Sequence, residues 1–159
     1  MDETSKQIIL GITRQFDTPQ LVKDNLRVKT FYDCSKLTPN DLARLAAEAT
    51  GHLDENAFDM VVGLAYTGIL FSFAVARGRL VSILATDGSL IGTSVKDRRV
   101  LVVDDVVCSG TRLATASEQL RSMGANIVGY ACIIDRSAGS RHPMVSPLWS
   151  AWEGEVVDG

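Results

Sequence analysis

The chain has 159 residues, 46% hydrophobic and 22% charged, with 19 acids against 16 bases and a formal charge of -3. That length suits one domain with a sizeable core, and the mixture is that of a folded globular protein, not a disordered one. The charge gives no overall pull toward nucleic acid or an anionic membrane, and no apolar run reaches the roughly 18 residues of a membrane span.

The N-terminus, Met1 to Lys6, starts acidic and leads into an amphipathic segment, unlike a secretory signal. Ile8, Ile9, Ile12 and Phe16 fall at helical spacing and predict an N-terminal helix within residues 1–20. Val28, Thr30, Tyr32 and Cys34 alternate with Lys29, Phe31 and Asp33, which predicts a short strand from Leu26 to Cys34. Thr38-Pro39-Asn40-Asp41 has the features of a helix start: a capping hydroxyl, a proline in the first turn and an acid near the free amides. Leu42, Leu45, Ala46 and Ala49 form one face of that helix, and Gly51 stops it.

Phe58 to Leu64 reads as a buried strand, Ala65-Tyr66-Thr67-Gly68 as a loop, and Ile69 to Arg77 as a helix covering the sheet. Leu80 to Leu84 is another strand, with Asp87-Gly88 as a turn and Leu90-Ile91 as its return arm. Val100 to Val103 is the most hydrophobic strand and is expected at the centre. Leu113, Ala116, Leu120 and Met123 line the next helix, ended by Gly124, and Ile127 to Ile134 forms a strand leading to Asp135-Arg136. From Gly139 to Gly159 no pattern emerges, so an irregular tail is expected. Its Trp149 and Trp152 either pack in the fold or an interface, or stack on a ligand base.

This alternation predicts an α/β fold, a mainly parallel central sheet flanked by helices, as a single domain over residues 1–159. Ligands of such sheets sit beyond the carboxyl ends of the strands. Three loops should converge there: Ala65 to Gly68, Asp104 to Arg112, and Asp135-Arg136.

Asp104 and Asp105 follow four apolar residues, where two adjacent acids are costly unless solvated, paired or bound. Either one caps a helix or pairs with Arg99, or both hold ligand hydroxyls or a cation. Cys108 to Arg112 then opens a helix with small residues, and free amides at a helix start bind anions. Ser109 and Thr111 add hydroxyls, and Arg112 either adds charge or points into solvent. Neither a G-x-G-x-x-G after a strand nor a P-loop frame is present. Cys34, Cys108 and Cys132 lack close pairing and read as reduced thiols of a cytoplasmic protein. Cys108 at a helix start would have nucleophile character, yet no histidine lies near it in sequence. Neither His52 nor His142 has a cysteine at zinc-ligand spacing.

The acid pair and the loop after it resemble the ribose-phosphate signature of the type I phosphoribosyltransferases, departing chiefly at Arg112, where that family usually has Ser or Thr. The resemblance implies that Asp104 and Asp105, as catalytic residues, hold the ribose hydroxyls of 5-phosphoribosyl 1-diphosphate (PRPP). It implies that Cys108, Ser109, Gly110, Thr111 and Arg112 wrap the 5-phosphate, and that Val106 and Val107 also belong to the PRPP site. Ala65, Tyr66, Thr67 and Gly68 look like the loop that meets the diphosphate, often through a cis peptide. Mg²⁺ would be bound mainly through the diphosphate and ribose, with no direct protein ligand assigned. Within the family the orotate-type members are nearest, through Phe31-Tyr32-Asp33, Val62-Gly63-Leu64-Ala65 and Asp135-Arg136. Arg136 matches the arginine that grips a base carboxylate, a natural partner for a guanidinium fork; the alternative is a surface or salt-bridge arginine.

The resemblance thus implies transfer of 5-phosphoribosyl from PRPP to orotate or a related pyrimidine-like base, by a homodimer, with no DNA or membrane partner and RNA left open. Orotate-type enzymes carry a long basic loop before the acid-pair strand. Here Leu84 to Gly92 occupies that region without a basic residue, and Lys96, Arg98 and Arg99 read as solvated charges. Fixed cations stabilise a departing diphosphate, so the alternative is a non-catalytic PRPP-binding or regulatory protein.

Overall fold

The computed structural model describes residues 1–21 and 27–154. Leu26, the expected start of the first strand, and residues 155–159 of the expected tail lie outside them.

Helix α1 (Glu3–Ile12) begins where the Asp2 carboxylate accepts the Ser5 amide at 2.8 Å, and it buries Ile9 and Ile12. It ends four residues before Phe16. Thr13–Leu21 is instead a strand, β1, paired antiparallel with β2 (Arg27–Tyr32). This corrects the latter part of the expected helix, which stops at Ile12 and gives way to a strand. The ribbon is held by main-chain bonds while most β1 side chains face solvent, so its sequence has no strand period to show. Helix α2 (Pro39–Thr50) has the expected start, with a reciprocal capping box between Thr38 and Asp41. Gly51 closes it at φ −62°, without the left-handed turn usual for a terminal glycine.

The main sheet comprises β3 (Met60–Leu64), β4 (Leu80–Leu84), β5 (Leu90–Ile91), β6 (Arg99–Val103), β7 (Val106–Val107), β8 (Asn126–Asp135) and β9 (Leu148–Glu153). Its order is β5-β4-β3-β6-β8, with β7 and β9 both pairing β8. Pairing is parallel except at the β4–β5 hairpin, the expected return arm. β6 lies between β3 and β8, as its apolar run predicted.

Helix α3 (Ile69–Ala76) joins α1 and α2 on one face, where Leu45, Phe71 and Val75 meet Val61, Leu101 and Ile133. Helix α4 (Thr111–Ser122) covers the other, where Leu113 and Leu120 meet Val62, Val100 and Val102. Alternate residues of β6 thus feed two cores, and the α/β architecture with helices on both faces is as predicted.

The expected irregular tail is corrected as well: Leu148–Glu153 forms β9, parallel to β8. Its two tryptophans pack on the α2-side core, and the Trp149 ring sits so close to Gly129 that a Cβ there would lie 2.4 Å from it. Pro147, Ser150 and Glu153 break up an apolar pattern that exists only against β8.

Candidate active site

β6 ends in a break. The Asp104 amide still donates to Ala131 O of β8 (3.1 Å), but Asp105 O accepts the amides of both Ile133 and Ile134 (2.8 and 3.0 Å). Pairing with β8 resumes only at Val106, opposite Ile134. The two carboxylates therefore leave the ladder where three loops meet. Asp104 is 2% exposed and Asp105 7%. Asp104 Oδ1 accepts the Asp105 amide (2.9 Å) and the Thr67 hydroxyl (3.4 Å), while Oδ2 lies 3.4 Å from Arg112 Nη1. Asp105 Oδ1 accepts the Val106 amide at 2.7 Å. Buried carboxylates cost several kcal/mol unless such partners surround them. Arg99 is not among them: it pairs with Asp59 at 2.8 Å, at the far end of β6.

The loop after the acids turns at Gly110, whose φ of +83° lies in the region where a side chain is strained. Gly110 O accepts the first helical bond of α4, from Ala114 at 2.9 Å. The Ser109 and Thr111 hydroxyls lie 2.9 Å apart, and Ser109 Oγ accepts the Thr111 amide at 3.3 Å. This is a compact helix start with hydroxyls and amides in one place, the arrangement that takes an anion. Cys108 is buried at 8% exposure, ahead of that turn.

Arg112 does not point freely into solvent. Its Nη2 donates to Ala65 O at 3.0 Å, so the guanidinium spans from Asp104 to the Ala65–Gly68 loop. The Ala65–Tyr66 peptide in that loop is cis, as the family resemblance implied. Gly68 packs on the acid strand: a Cβ there would lie 2.7 Å from Val103 O.

A cavity of about 490 Å³ opens beside the acids, walled by Phe31, Tyr32, Leu42, Phe71, Ile133 and Arg136, with Thr67 and Asp105 at its edge. Arg136 is no surface arginine. It is 5% exposed, its Nη1 donates to Thr30 O at 2.7 Å, and its guanidinium lies 5.3 Å from the Tyr32 ring centre. Its amide donates to Val107 O at 2.8 Å, which fixes Asp135-Arg136 against β7. The three predicted loops are thus brought together.

One wall of the site was missed in sequence. The His142 amide donates to Ser109 O (2.8 Å), and a Cβ on Gly110 would lie 3.3 Å from Val145. Arg141, ion-paired with Asp135 at 3.2 Å, stands in the same segment. In sequence this stretch belongs to the unpatterned Gly139–Gly159 region, and nothing local marks a contact more than 30 residues away.

Residues 79–152 match the family described as "Phosphoribosyl transferase domain", a span that holds the acid pair, the phosphate-type loop and Arg136. The chain is 30% identical over 118 residues to the orotate phosphoribosyltransferase of Desulforamulus reducens, covering 69% of this chain and 62% of that protein. It is 34% identical over 123 residues to orotate phosphoribosyltransferase 2 of Mesorhizobium japonicum, covering 72% and 62%. The matched span is thus about three fifths of the length of these curated relatives. In fold it is similar to the orotate phosphoribosyltransferase of Mycobacterium tuberculosis H37Rv solved with inorganic phosphate, at a TM-score of 0.73 and 18% identity over 94% of each chain.

Proposed function

We propose that the chain is a phosphoribosyltransferase, on the match of residues 79–152 to that family, and that it transfers 5-phosphoribosyl from PRPP to a pyrimidine-type base, orotate or a relative of it. The observation that carries this reading is the break in β6, which sets Asp104 and Asp105 between the Ala65–Gly68 loop and the start of α4.

In this reading the acid pair accepts hydrogen bonds from the ribose hydroxyls, and the amides and hydroxyls of Cys108 to Thr111 hold the 5-phosphate. The Ala65–Gly68 loop meets the diphosphate. The base enters the cavity at Arg136. The bond from the ribose C1 to the diphosphate oxygen breaks with its electron pair leaving on oxygen, and a ring nitrogen supplies the pair for the new C–N bond. With an already anionic base no general base is needed.

The donor set fits a divalent cation only in part. Among the described residues no three His, Cys, Asp or Glu side chains cluster as a cage. Asp104 and Asp105 are the carboxylates that would face Mg²⁺ held by the diphosphate and ribose oxygens, where it would neutralise the leaving group. A homodimer and a cytoplasmic location complete the reading. No helix among the described residues is long and apolar enough to cross a membrane.

Calorimetric titration with PRPP and Mg²⁺, followed by assay of diphosphate release on adding orotate or uracil, tests the proposal. Micromolar binding with base-dependent release is expected. Absence of binding up to millimolar PRPP, with and without base, would reject it. The β4–β5 hairpin favours a second reading, because the family's basic loop is replaced by a tight turn closed by the Ala85 amide on Ser89 O at 2.8 Å. That reading is PRPP binding without turnover, and its signature is affinity with no diphosphate released by either base.

A further inference from the structure

Arg112 is the second residue of α4, where a cation opposes the helix dipole and is disfavoured unless something else holds it. Two groups hold it: Asp104 Oδ2 at 3.4 Å from Nη1, and Ala65 O at 3.0 Å from Nη2. Its main chain belongs to the phosphate-type loop, while its side chain crosses to the other loop. About a third of that side chain is exposed. It borders a cavity of about 260 Å³ that Ala65, Ala85, Thr86 and Gln119 also line, between the Ala65–Gly68 loop and the β4–β5 hairpin.

We propose that Arg112 is the cation that binds the diphosphate group in this chain. The inference rests on the phosphoribosyltransferase reading and assigns within it a charge that the hairpin does not carry, since Leu84 to Gly92 contains no Lys or Arg. A guanidinium presents five N–H donors in a planar fork, and such forks bind paired phosphate oxygens. The bond to Ala65 O anchors one arm at the mouth of the loop that meets the diphosphate. When the C1–O bond breaks and its electron pair passes to the diphosphate oxygen, Arg112 donates hydrogen bonds to the more negative product and keeps its own protons. Its charge sits on a helix, so it is in place before any ligand arrives.

The test compares inorganic diphosphate with ribose 5-phosphate as separate calorimetric ligands, at fixed magnesium, for the wild type, R112A, R112Q and R112K. R112A and R112Q are expected to weaken diphosphate binding about tenfold or more, the scale of a lost charge-assisted hydrogen bond. Ribose 5-phosphate should change less than about threefold, and R112K should recover part of the diphosphate affinity, having the charge without the fork. Should R112A fail to fold because Asp104 loses its cation, R112Q and R112K still decide the matter. Diphosphate binding unchanged in a folded R112Q would overturn the proposal. Equal losses for both ligands would also overturn it, by showing that Arg112 only braces the loops. A wild type that binds neither ligand would reject the phosphoribosyltransferase reading itself, and this inference with it.

Discussion

Gly68 lies where the loop after β3 crosses the end of β6. A Cβ at that position would stand 2.7 Å from Val103 O and 3.0 Å from Asp104 Cα, both main-chain atoms that cannot swing aside. Gly68→Ala should therefore cost about 1–3 kcal/mol by denaturant unfolding, the scale of overpacking, and weaken PRPP binding by lifting Thr67 off Asp104. A variant with the wild-type midpoint and affinity would show that the loop does not depend on this approach. The sequence marked Gly68 only as part of a loop, because its neighbour is 35 residues away. At Gly110 the sequence showed only a small residue ahead of a helix start, and its positive φ is evident only in the structure. Arg112 and Arg136 could be picked out by position, but their partners, Ala65 O and Thr30 O, could not.

Asp59 and Arg99 tie the start of β3 to that of β6, with the Arg99 amide and Nη2 each donating to the Asp59 carboxylate at 2.8 Å. The Arg99 side-chain and amide hydrogen bonds hold the Asp59 pKa below its ordinary value. A carboxylate lowered in the folded state contributes stability above its unfolded pKa and loses that contribution as pH falls through the folded one. Asp59→Asn should thus melt below the wild type near neutral pH, and the two melting curves should converge below about pH 4, the ordinary aspartate range. A gap that persists undiminished to about pH 2 would assign the effect to something other than this charge. At the opposite edge, Gly129→Ala would push a Cβ to 2.4 Å from Trp149 Cζ3. The expected result is a cost of about 1–3 kcal/mol together with a shifted tryptophan emission. Unchanged emission would mean that the ring turns away freely. These elements also show what sequence pattern carries. β3, β6 and β8 were legible because both their faces are buried and their apolar runs are continuous. β1 was not, because neither face is well buried, and β9 was not, because its partner surface comes from β8.

At the scale of the molecule, the site is built where the two cores meet at the carboxyl ends of β3, β6 and β8. The alternation of strands and helices made that convergence legible in advance, down to which three loops take part. It left out the segment 140–145 that backs the phosphate-type loop, because its contacts with Ser109 and Gly110 are long-range. A ligand held by these loops would touch β3, β6, β8 and α4 together, so its binding free energy should report on global unfolding. At about 100 times its Kd, such a ligand adds about 2.7 kcal/mol to the folded state. For a chain of this size that corresponds to a melting temperature raised by roughly 5–11 °C, measured by calorimetry with PRPP and Mg²⁺. Asp104→Asn removes a carboxylate from the proposed ribose position while leaving the rest of the loop, and its shift should fall to about a third or less. A full shift in that variant would place the ligand's anchor elsewhere than the acid pair. A shift in the wild type that disappears with the acid, together with unchanged melting of the free proteins, would locate the stabilisation in ligand contact and not in the packing of β6.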